Sequence, residues 1–167
     1  MAREHIATYL NDHLAGATGA VELLEHLEKE HAGTEVGRLA SGLRADIEAD
    51  RRTLQSLMER LEVARSRTRK AAAWLGEKAA ELKLRLDDPA GGSLRLFESL
   101  EALSLGIEGK RSLWRALAAA AEEAPDLRAA DYEGLIRRAE EQRSRVETAR
   151  LEAARRALER LRTPPGS

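Results

Sequence analysis

The sequence predicts an all-α fold, a four-helix bundle with a shorter helical crossover between its two hairpins. Three observations carry that prediction. Four long stretches repeat apolar residues in alternating steps of four and three, the inward stripe of an amphipathic helix. Ala, Leu, Arg and Glu dominate a chain that is 34% charged and only 3% aromatic, a balance that suits helices better than disorder. No alternating run of β-branched residues bounded by turns is present. The 167 residues suffice for one domain with a sizeable core, expected over residues 1–162, with a flexible tail at 163–167.

The first helix is predicted over about residues 3–31. Its seam is Ile6, Leu10, His13, Ala17, Ala20, Leu24, Leu27 and His31, and it stops at Ala32-Gly33. Thr34 is a good N-cap for the second helix, whose seam is Val36, Ala40, Leu43, Ile47, Asp50, Leu54, Leu57 and Leu61. So short a turn makes the pair an antiparallel hairpin. Ser66 or Thr68 can cap a shorter helix through Leu86, with Leu75, Ala79, Leu82 and Leu86 on its stripe. The run Asp87-Asp88-Pro89-Ala90-Gly91-Gly92 is the clearest break in the chain, and Ser93 reads as the cap of the helix that follows.

That helix has the seam Leu96, Leu100, Leu103, Ile107, Lys110, Trp114, Leu117 and Ala121, each sixty positions after its counterpart in the second helix. It fades before Glu122-Glu123-Ala124-Pro125. Asp126 can cap a short turn and Asp131 the last helix, which continues to about Arg162 with Leu135, Ala139, Gln142, Val146, Ala149 and Ala153, then Ala157 and Leu161. Each long helix would measure roughly 42 Å and the crossover about 30 Å, enough to carry the chain back along the bundle. The second helix and the one after the crossover are then parallel.

His13, Asp50, Lys110 and Gln142 interrupt the four seams and therefore point at an otherwise apolar core, where an unpartnered polar group is costly. With the crossover, Asp50 and Lys110 occupy the same step of their seams. His13 and Gln142 occupy a matching step of the first and last helices, which run antiparallel to those two, about one seam step away along the axis. A buried Asp beside a buried Lys is satisfied without metal, so the expected role is a polar layer that sets register and pairing. The alternative is a small-ligand pocket. Gly16 and Gly19 lie just after His13, and Gly106 and Gly109 just before Lys110. Close helix approach is the expected reason for these glycines; space for water or a ligand is the other.

In that layout, and in the stretches Tyr9-Leu10-Asn11-Asp12-His13-Leu14-Ala15-Gly16 and Glu101-Ala102-Leu103-Ser104-Leu105-Gly106-Ile107-Glu108-Gly109-Lys110, the chain resembles uncharacterised bacterial ferritin-like four-helix-bundle proteins. The di-iron members of such bundles need an inward Glu on two helices and a Glu-x-x-His pair on each of the other two. This chain has one such pair, Glu28 and His31, in the last turn of its helix, and a single acidic seam residue, Asp50. Glu101 and Glu108 fall one position beyond the seam. An ammonium at Lys110 would repel a dication. No metal and no cofactor are expected.

Other chemistry is thinly represented. Without cysteine there are no disulfides, thiolate metal sites or cysteine nucleophiles. The 28 basic and 29 acidic residues nearly cancel, so neither nucleic acid nor an anionic membrane is favoured as a partner. No apolar run approaches the ~20 residues that span a bilayer, and no signal peptide is read, which predicts a cytoplasmic location. The basic cluster Arg65, Arg67, Arg69 and Lys70 reads as a solvated helix end. Arg137, Arg138, Arg143 and Arg145, interleaved with Glu140, Glu141 and Glu147, read as an exposed, salt-bridged face. Trp74 and Trp114 read as packing residues, and His5 and His26 as solvent-facing. No Gly-x-Ser-x-Gly or phosphate-binding glycine loop is present; Gly91-Gly92-Ser93 reads as linker plus cap. The expectation is a non-enzymatic bundle with a metal-free polar layer. The alternatives are a metal-dependent oxidase or iron-handling protein, and a helical adaptor for a protein partner; a homo-oligomer is left open.

Overall fold

The computed structural model describes residues 2–65, 92–128 and 130–159. The expected crossover helix with its caps and Trp74, the basic residues Arg67, Arg69 and Lys70, most of the Asp87–Gly92 break, Leu161 and the tail lie outside the described residues. Those described form four long helices and one 3-10 turn, with no strand among them. The helices are α1 (Ala2–Glu30), α2 (Glu35–Arg60), α3 (Gly92–Ala120) and α4 (Tyr132–Leu158). None is long and apolar enough to cross a membrane.

Local chemistry places the helix ends. Gly33 turns the chain between α1 and α2 at φ 80°, a left-handed conformation that costs glycine little. Thr34 then caps α2, its hydroxyl accepting from the Gly37 amide at 3.2 Å. Gly37 packs so closely under the His31 carbonyl that a Cβ there would collide with it. Asp131 caps α4 in the same way, accepting from the Gly134 amide at 2.9 Å. Between α3 and α4, the Arg128 guanidinium donates to the carbonyls of Ala121 and Glu122 at 2.9 and 2.8 Å, satisfying acceptors that the end of α3 leaves open. Ser93 does not act as the expected cap, because α3 already begins at Gly92.

The seams face inward as expected. Among the described residues, most of the apolar seam positions are buried, while Ile6, Val36, Leu61, Leu96 and Ala157 near seam ends, together with Ala17, Ala20 and Ala149, are half-buried. α1 packs chiefly on α2, and α3 chiefly on α4; the two hairpins meet through α1 with α3 and α2 with α4. One apolar cluster joins the end of α1 (Leu24, Leu27), the start of α2 (Leu43, Ile47), the start of α3 (Leu100, Leu103) and the far half of α4 (Val146, Ala153). The other joins Leu10, Leu57, Trp114 and Leu135, from the opposite ends of the same helices. This arrangement makes α2 and α3 parallel to each other, with every packed neighbour antiparallel.

Candidate functional site

The two apolar clusters are separated by a polar layer at mid-height. Asp50 sits between Ile47 and Leu54 on α2, Lys110 between Ile107 and Trp114 on α3, and Gln142 between Ala139 and Val146 on α4. The sixty-residue offset between the seams of α2 and α3 holds in space, because Lys110 Nζ reaches Asp50 Oδ2 at 2.5 Å. Asp50 and Gln142 are 2% and 1% exposed, and the Lys110 side chain 13%. The Gln142 amide fits between the charges: its Oε1 accepts from Lys110, and its Nε2 donates to Asp50 Oδ2 at 3.1 Å. Burial pushes the Lys110 ammonium below its ordinary pKa, and the adjoining Asp50 carboxylate opposes that shift.

A fourth member was not legible in the sequence. Arg138 forms an ion pair with Asp50 Oδ1, an oxygen that otherwise has no aligned hydrogen-bond donor among the described residues. The alternation of Arg and Glu on the last helix reads as a solvated face, and for Arg143 and Arg145 that reading fits their exposure. Arg138 differs because it stands four residues before Gln142, one turn along the same side of α4. Its long side chain reaches the layer from the rim while remaining 40% exposed.

His13 stands apart. It is half-buried and makes an edge-on contact with the Tyr9 ring, centroids 4.7 Å apart, and no hydrogen bond joins it to Asp50, Lys110 or Gln142 among the described residues. The register explains this. Arg95 of α3 reaches Glu30 of α1 at 3.2 Å. Stepping back along α1 for each forward step along α3 brings Lys110 level with Ala15, so His13 lies on the far side of the layer. Burial lowers the His13 pKa below its ordinary value, partly countered by the charge of Asp12.

The same register sets Gly109 level with Gly16 and Gly106 level with Gly19. Close helix approach does not explain them. A Cβ built on any of the four meets no atom within 4 Å among the described residues, and Gly106 is exposed. Among the described residues, the glycines that do permit a close approach are Gly37, Gly42 beneath the Arg145 guanidinium, and Gly134 against the Asp131 carboxylate.

Glu101 and Glu108, one position beyond the seam, face α4 and pair with its arginines. Glu101 accepts from Arg150 of α4 at 2.9 Å, and Glu108 lies 2.9 Å from Arg111 on its own helix and 3.6 Å from Arg143 of α4. Glu28, of the single Glu-x-x-His pair, is held by Arg44 at 2.9 Å, while His31 lies nearer Glu30. Among the described residues, no three His, Asp or Glu side chains converge in a way that could hold a metal ion. Trp114 is buried in the cluster with Leu10, Leu57 and Leu135, and its indole nitrogen has no hydrogen-bond partner among the described residues. Comparison with known proteins returns no match: no family model, curated protein or solved structure aligns significantly with the chain.

Proposed function

We propose that the chain is a non-enzymatic, cytoplasmic helical bundle of ferritin-like topology, with a polar layer that selects helix pairing and holds no metal. The observation that carries this reading is the saturation of Asp50: its two oxygens serve Lys110, Gln142 and Arg138. A carboxylate held by two cations has little to offer a third, and their charges would repel a metal dication at the centre of the bundle. The parallel course of α2 and α3 supports the ferritin-like topology, in which the second helix of one hairpin and the first of the other run the same way. Elemental analysis of protein expressed in medium supplemented with iron, manganese and zinc tests the reading. Less than a tenth of an equivalent of each metal is expected, about the level of adventitious binding. Two equivalents of iron with ferroxidase activity would favour the iron-handling alternative instead.

A second reading, a helical adaptor, draws on a different feature. Leu105 is 70% exposed on the outer face of α3, with Ala102 and Gly106 exposed beside it. A large exposed leucine among small residues suits contact with a protein partner. Leu105→Glu should then abolish association seen by sizing or pull-down while leaving the melting curve of the bundle unchanged.

A further inference from the structure

A groove of about 600 Å³ lies between the C-terminal half of α2 and the start of α4, away from the paired faces of α3. Small residues open it: Ala49 on α2, and Ala130 and Gly134 at the start of α4. The charged residues that line it are three arginines, Arg52, Arg60 and Arg138, and one aspartate, Asp131. Asp131 is committed to the Gly134 amide as the cap of α4. The hydroxyl residues Thr53 and Ser56 lie between the arginines on the α2 wall.

We propose that this groove binds a small phosphate-bearing anion, gripped by Arg52, Arg60 and Arg138. Three features favour phosphate. Arginines from two helices line one cleft, and the planar N–H forks of guanidinium groups suit phosphate oxygens. Arg52 is exposed and forms no ion pair among the described residues, so a bound anion need not displace a carboxylate from it. Arg138 is anchored from behind by buried Asp50 while its side chain stays 40% exposed. That anchoring holds one arm of the site in place before the ligand arrives, which reduces the ordering cost of binding.

The test is an amide NMR titration of the full chain with inorganic phosphate, pyrophosphate and glycerol phosphate, each against sodium chloride at equal ionic strength. Saturable shifts at Thr53, Ser56 and Gly134 are expected with at least one of the three. Tightest binding of glycerol phosphate would identify a phosphate ester as the preferred source, and tightest binding of either inorganic anion a free one. Arg52→Gln and Arg60→Gln should each weaken binding about tenfold, the loss of one charge-assisted contact. Arg145→Gln, on a residue of α4 paired with Asp46 outside the groove, should change it less than about twofold. Shifts that grow without saturating, or that sodium chloride reproduces, would overturn the proposal. So would an equal loss in the Arg145 variant, which would mean only a diffuse response to charge.

Discussion

Asp50 concentrates the interior chemistry of this protein in one carboxylate, and the energetics of the layer turn on what happens when a partner is removed. Lys110→Met strands the carboxylate with only Gln142 and the rim arginine, and a loss of about 3–5 kcal/mol is expected, as for other broken buried pairs. Asp50→Leu strands the ammonium at similar cost. The double variant should recover much of the loss, since two apolar residues can join the clusters above and below. Urea unfolding of the four proteins yields the coupling energy; additive losses would mean that the two charges do not meet in solution. His13 contributes a pH dependence of its own. Its folded pKa lies below the ordinary 6.5, so the unfolded chain binds the proton first as pH falls. Its contribution to stability is therefore complete above about pH 7 and is lost as pH falls through 6.5 towards the folded value. His13→Phe should flatten the stability profile in that window when melts are compared between pH 5 and 7.5.

Along each helix, positions one step from the seam behave differently on its two sides. On α3, the step after the seam carries Glu101 and Glu108, which meet arginines of α4 at the surface. Exposed pairs of this kind are worth little, so Glu101→Ala and Glu108→Ala should each cost no more than about 1 kcal/mol in thermal melts. A much larger loss would mean that α3 is rotated from the orientation described. The step before the seam carries Gly106 and Gly109 on α3 and Gly16 and Gly19 on α1, with open space at each. Gly16→Ala and Gly19→Ala should therefore stabilise α1 by about 0.5–1 kcal/mol apiece, the ordinary gain from replacing a mid-helix glycine. Destabilisation in the same melts would show that something occupies that space.

At the scale of the whole molecule, the parallel course of α2 and α3 is the property on which the layer depends. Reversing either helix would destroy the sixty-residue offset between the two seams, and the two apolar clusters would no longer be assembled from matching ends of α2 and α3. Spin labels can check this directly. Ala45 on α2 and Leu105 on α3 are exposed and stand at the same level by the sixty-residue offset, whereas exposed Ala119 stands fourteen residues further along α3. The 45–105 distance should be clearly shorter than the 45–119 distance, which gains about 21 Å of axial separation. Equal distances, or the reverse order, would contradict the parallel arrangement.

Periodicity and cap chemistry were enough to locate the four helices, their inward faces, the caps at Thr34 and Asp131, and the meeting of Asp50 with Lys110, whereas Gln142, expected about one seam step away, joins that pair directly. These are properties that repeat along a helix every three or four residues, so the chain writes them locally. Three things escaped it. Arg138 reaches Asp50 from a position that looks like surface, because a long side chain can cross from rim to core and its sequence neighbours do not reveal its target. His13 interrupts its seam as the other three residues do, yet its level along the bundle follows from how α1 slides against α3. The glycines beside the layer meet no neighbour among the described residues and so do not mark close approach of these helices, since that distinction depends on how far apart two helix surfaces lie. Local sequence determined which face of each helix turns inward; axial register and inter-helix spacing arise from packing between segments distant in the chain, and only the tertiary structure decided them.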